Sequence, residues 1–131
     1  MADTRRGSCL CGEVRFEVSG PLREIVACHC QQCRKQTGHF VAATSAALGD
    51  VVIEGAESLT EFRASDTATR KFCSVCGSLL FWQTDGSENI SILAGSFDDG
   101  DIPKLGRHIF CEDKASYYEI NDGLPQFAKY D

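Results

Sequence analysis

At 131 residues, with a formal charge of −6 and 43% hydrophobic content, the chain has the composition of one globular domain spanning residues 1–131. Its acidic balance, without a cluster of Lys and Arg, opposes nucleic-acid binding, and no apolar run approaches the ~20 residues that span a bilayer. The opening Met-Ala-Asp-Thr-Arg-Arg-Gly-Ser has no apolar core of a secretory signal, so a cytoplasmic location is expected.

In chain order, the first feature is a clamp, Cys9-Leu-Cys11, followed by Gly12. From Gly12 to Gly20, Val14, Phe16 and Val18 alternate with Arg15 and Glu17, the period-two pattern of a half-buried strand. A second cysteine group, Cys28-His-Cys30-Gln-Gln-Cys33, leads into Gln31–Thr37, which reads as one or two helical turns stopped by Gly38. Strands are expected at Phe40–Thr44, Val51–Glu54 and Leu59–Arg63. A third group, Cys73-Ser-Val-Cys76-Gly77, precedes a hairpin formed by Leu79–Gln83 and Asn89–Leu93. Arg107–Glu112 reads as a further strand and Ala115–Ile120 as a short turn. The expectation is a mainly β fold of roughly seven to nine short strands, with little helix.

Seven of the eight cysteines lie in those three groups. In a reducing compartment such spacing favours metal ligation over disulfides, and CxC and CxxC pairs are good bidentate clamps. Seven divides into four and three. Four thiolates close a tetrahedral zinc site, whereas three leave one position open for water or substrate. Cys9, Cys11, Cys73 and Cys76 read as the closed, structural zinc site; Cys28, Cys30 and Cys33 read as the open, catalytic one. An iron–sulfur cluster shares the ligand type and would be coloured. His29 points away between two ligands, so a packing role is favoured over its other candidacy, a proton shuttle. Arg34 and Lys35 are candidates to balance the thiolates and to contact a substrate carboxylate, with a solvated turn as the plain alternative. Cys111 shares strand parity with Ile109 and is expected as a buried free thiol, with a ligand or redox role as the alternative.

Three segments, Gly7-Ser-Cys-Leu-Cys-Gly-Glu-Val-Arg15, Cys28-His-Cys-Gln-Gln-Cys-Arg-Lys-Gln-Thr-Gly38 and Phe72-Cys-Ser-Val-Cys-Gly77, resemble the glutathione-dependent formaldehyde-activating enzymes, a family of carbon–sulfur lyases. Gly95-Ser-Phe-Asp98 and His108-Ile-Phe110 also fit, so the resemblance covers about residues 7–120. It implies a β-tent fold stapled by zinc, a structural zinc on Cys9, Cys11, Cys73 and Cys76, and a labile catalytic zinc on Cys28, Cys30 and Cys33. It also implies that a thiol such as glutathione condenses with formaldehyde to S-hydroxymethylglutathione, reversibly. Cys111 stands where the family commonly has an apolar residue, and Ala115-Ser-Tyr-Tyr118 where a Pro-Trp pair is frequent. The rival classes are a non-catalytic zinc module that binds a protein partner and a thiol-responsive zinc sensor. The sequence carries no signal for oligomeric state.

Overall fold

Alternation along residues 14–18 shows how the core is built: Val14, Phe16 and Val18 are almost completely buried while Arg15 and Glu17 face solvent. The computed structural model describes residues 4–99 and 101–131. In chain order the strands are β1 (Thr4–Ser8), β2 (Arg15–Ser19), β3 (Ile25–Cys28), β4 (Val41–Ala47), β5 (Val51–Glu54), β6 (Leu59–Arg63), β7 (Ala68–Cys73), β8 (Leu79–Thr84), β9 (Asn89–Leu93), β10 (Phe97–Asp99) and β11 (Leu105–Ile109). Among the described residues one α-helix, α1 (Gln31–Thr37), follows β3. No described helix is long and apolar enough to cross a membrane.

The strands form a four-stranded sheet, β10-β1-β2-β5, and a seven-stranded sheet, β11-β3-β4-β9-β8-β7-β6. Pairing is antiparallel throughout except between β3 and β11, which run parallel. The main core joins the two sheets. Phe16 of β2 meets Phe81 of β8 edge-on at 5.4 Å and Phe97 of β10 at 5.3 Å, with Leu80, Ile90 and Ile92 fully buried around them. Gly7 permits this approach, because a Cβ there would sit 2.2 Å from the Phe16 ring. A smaller core holds Cys33, Val41 and Ala43, with Cys28, Cys30 and Leu93 packed against it.

The helix ends as expected: Gly38 adopts φ 88° and its N–H bonds back to the Arg34 carbonyl. The hairpin also forms, with Phe81 opposite Ile92 and Trp82 opposite Ser91. Four strands, β1, β3, β7 and β10, had no expected counterpart. The strand expected at Arg107–Glu112 begins earlier and stops at Ile109, because Phe110 turns to φ 53° and Cys111–Asp113 coil into a 3-10 turn. Cys111 is therefore not on that strand, and it is half-buried rather than in the core. Residues 125–129 lie along β11, where the His108 N–H donates to the Pro125 carbonyl and the Phe127 N–H donates to the His108 carbonyl.

Candidate metal centres

Cys9 follows β1 directly and Cys11 lies in the same turn; Cys73 ends β7, and Cys76 occupies the turn into β8. This local geometry brings two clamps from different sheets together. All four sulfurs lie within 4.8 Å of one another, with Cys9 to Cys11 at 3.6 Å and Cys11 to Cys73 at 3.7 Å. A disulfide would need about 2.05 Å. A tetrahedron with metal–sulfur bonds of about 2.3 Å puts its sulfurs about 3.8 Å apart, so the four cysteines fit a tetrathiolate metal site. Backbone N–H groups and a hydroxyl point at several of the sulfurs. The Val14 N–H reaches Cys9 Sγ at 3.3 Å and the Val75 N–H reaches Cys73 Sγ at 3.4 Å. Ser78, hydrogen-bonded to Cys76 through hydroxyl and backbone, holds that thiol down at about 5.

The second group is built across the β3–α1 junction. Cys28 ends β3, Cys30 is the N-cap of α1, and Cys33 is the buried residue of its first turn. The three sulfurs lie within 4.8 Å of one another, and the Cys33 N–H donates to Cys30 Sγ at 3.3 Å. Hydrogen bonds from Cys28 and then Cys33 push the Cys30 thiol down to about 2, while the contact with Cys30 drives Cys28 upward. Among the described residues no fourth Cys, His, Asp or Glu joins this group. A buried cation touches it instead: Arg70 of β7, 3% exposed, places Nη2 3.4 Å from Cys33 Sγ.

His29, between two of these cysteines, is 1% exposed and engaged at both ring nitrogens. Its Nε2 lies 2.8 Å from His108 Nδ1, and His108 Nε2 lies 2.7 Å from Asp122 Oδ2. An ionised carboxylate only accepts, so His108 donates from Nε2, and in its neutral tautomer it accepts at Nδ1 from His29. His29 Nδ1 then accepts from the Tyr118 hydroxyl. Burial first, and the neighbouring His108 second, push His29 down to about 4, which leaves its imidazole neutral at pH 7.

A cavity of about 790 Å³ opens beside the second cysteine group. That volume lies within the range of small-molecule sites. Cys28, Cys30 and Cys33 line it together with Arg23, Arg70, Arg107 and Trp82. Arg34 and Lys35 are not among its lining residues, whereas Lys35 lines a different hollow with Phe62 and Phe72. The reason is helical rotation: with Cys33 turned inward, the next two positions of α1 are carried around the helix away from it. His29 does not line the cavity, and Cys111 belongs to neither cysteine group. The three lining arginines and the Tyr118–His29–His108–Asp122 chain were not anticipated from the sequence. His108 lay within a motif that marked it, without indicating its partners.

A sequence profile described as glutathione-dependent formaldehyde-activating enzyme matches residues 4–113. A Halomonas elongata protein, provisionally named as such an enzyme, is 32% identical over 126 residues, covering 87% of this chain and 79% of its own. A Schizosaccharomyces pombe protein named as an uncharacterized lyase is 25% identical over 123 residues, covering 93% and 89%. Among solved structures, a crystal structure of a Rhodobacter sphaeroides protein aligns with a TM-score of 0.59 and 28% identity, covering 76% of this chain and 99% of the other. Tyr118 and Asp122 lie beyond the segment that the profile matches.

Proposed function

The chain belongs to the glutathione-dependent formaldehyde-activating enzyme family, and on that basis we propose that it is a zinc-dependent carbon–sulfur lyase. Its reaction is the reversible addition of a thiol such as glutathione to formaldehyde or a related small aldehyde, the S-hydroxymethylglutathione synthase type. The observation that carries this reading is the unequal division of cysteines, with the three-cysteine group lining the large cavity. Cys9, Cys11, Cys73 and Cys76 hold a structural zinc that ties the two sheets of one domain, residues 1–131. Cys28, Cys30 and Cys33 hold the labile zinc, which when bound supplies thiol deprotonation and Lewis acidity.

The cysteines of the second group are ligands and not nucleophiles; the substrate's thiolate is the nucleophile. Val41, Ala43, Leu93 and Trp82 give the cavity an apolar wall that limits water around the reactants. Arg23 and Arg107 line this cavity and Arg34 and Lys35 do not, which makes the former pair better candidates for a thiol's carboxylate. His29, saturated by Tyr118 and His108, acts as a positioning residue for the turn that carries Cys28 and Cys30. A cytoplasmic location suits both reduced cysteines and a glutathione substrate.

The test is the rate of hemithioacetal formation from glutathione and formaldehyde, measured above the spontaneous reaction. The wild type should exceed that background, and Cys33→Ala should return to it. A wild type no faster than the background, or an unaffected variant, removes the assignment.

A further inference from the structure

Arg70 is the most unusual charged residue in the molecule. It is 3% exposed, and among the described residues no carboxylate pairs with it. A cation buried without an opposing charge costs several kcal/mol, so its environment must supply negative charge or strong acceptors. Two contacts are present, both through Nη2: Cys33 Sγ at 3.4 Å and the Gln32 side-chain oxygen at 3.5 Å. Its Nε is buried and lacks any acceptor. The same side chain lines the cavity with Cys28, Cys30 and Cys33. One arm of the guanidinium is thus held by a ligand cysteine, whereas Nη1 has no protein partner and, unlike Nε, is not sealed from solvent, which leaves it as the donor available to the cavity.

We propose that Arg70 is a catalytic residue whose free Nη1–H donates to the substrate oxygen that gains negative charge as a thiolate adds to the aldehyde. This deepens the lyase reading and rests on it. In the forward direction the thiol first loses its proton to water. The sulfur lone pair forms the carbon–sulfur bond, and the π pair of the carbonyl moves onto oxygen. That alkoxide takes a proton from water, and Arg70 keeps its own protons throughout. In reverse the hydroxyl proton leaves, the C=O bond re-forms and the carbon–sulfur bond breaks. Nothing is oxidised or reduced. A donor placed where charge develops, in a site shielded from water, typically contributes 10²–10³-fold to kcat.

The test uses the full, zinc-loaded protein as wild type, Arg70→Met and Arg70→Lys. Three quantities are read: kcat and KM with glutathione and formaldehyde, zinc stoichiometry by native mass spectrometry, and calorimetric affinity for S-methylglutathione, which lacks the oxygen. The expected result is a fall in kcat of about 100-fold or more for Arg70→Met. Arg70→Lys should fall less, while KM for glutathione, S-methylglutathione affinity and zinc content stay within 3-fold. If Arg70→Met loses a zinc, Arg70→Lys decides, because it keeps the charge but not the forked donor. Either variant retaining zinc with kcat within 3-fold of wild type overturns the proposal, as does zinc loss from both. A wild type without any rate above background would instead overturn the lyase reading, and Arg70's role with it.

Discussion

Replacing His108 with Leu tests the hydrogen-bonded chain that holds His29. The side chain is 3% exposed and joins His29 Nε2 at 2.8 Å to Asp122 at 2.7 Å. Leu fills a similar volume, so the cost comes from polarity and not from a cavity. The His29 Nε2–H is left buried without an acceptor, which costs about 1–3 kcal/mol. Loss of the bond to Asp122 adds at most about 0.5–1 kcal/mol, because that carboxylate is 39% exposed and solvent screens it. Together the expected destabilisation is about 1.5–4 kcal/mol. Urea unfolding of metal-saturated protein should show it as a lowered midpoint with an unchanged m-value. The companion variant His29→Phe with His108→Leu removes both partners, so its cost should fall short of the sum of the single changes by about 1 kcal/mol. A His108→Leu protein within about 0.5 kcal/mol of wild type would show that His29 does not depend on this chain.

Other perturbations separate the two cysteine groups and probe their supports. Cys73→Ala should abolish cooperative folding seen by circular dichroism, because a structural zinc contributes ~10–16 kcal/mol, as much as a domain's net stability. Cys33→Ala should leave the fold intact and release one zinc to a chromophoric chelator. Gly7→Ala should cost about 1–3 kcal/mol in urea, since the new methyl meets the Phe16 ring at 2.2 Å and the Ser96 carbonyl at 2.5 Å. Asp122 is held below its ordinary value by the Leu124 backbone N–H and then by His108, so it titrates lower in the folded than in the unfolded protein. Its contribution is present above the ordinary aspartate range and is lost as pH falls through the depressed value. The stability advantage of wild type over Asp122→Asn should therefore shrink on acidification from pH 6 towards pH 3, and a constant difference would exclude this linkage.

What was legible in the sequence was local. The Cys9–Cys11 and Cys73–Cys76 clamps, the alternation of Val14, Phe16 and Val18, and Gly38 as a helix stop each express their chemistry within a few residues. The overlooked parts depend on neighbours distant in sequence. β3, Ile25-Val-Ala-Cys28, shows no alternation because Ile25, Val26 and Ala27 are all buried, with β4 on one side and the parallel β11 on the other. β7, Ala68-Thr-Arg-Lys-Phe-Cys73, reads as a polar stretch, yet Thr69 and Arg70 are buried. Charge at Arg34 and Lys35 drew attention by adjacency to Cys33, whereas the arginines lining the cavity come from residues 23, 70 and 107. Adjacency on a helix is a poor guide to a shared face; adjacency across a sheet cannot be read from one segment.

The same strand explains why the two cysteine groups would behave differently once loaded. β7 carries Cys73 into the first group and, three residues earlier, Arg70 into the second. Around the first group the recorded donors to sulfur are backbone N–H groups and the Ser78 hydroxyl, which are neutral. Four thiolates and a divalent ion there would carry two negative charges, shielded but not cancelled. Around the second group, three thiolates, a divalent ion and Arg70 would sum to neutrality. A neutral centre beside a cavity can accept one further negative charge, whether a substrate sulfur or a developing alkoxide, more readily than a centre already doubly negative. The first group closes its shell with a fourth sulfur from its own fold. The second has three sulfurs, with Arg70 touching one of them, and the strand that delivers this arginine ends at Cys73 of the first group.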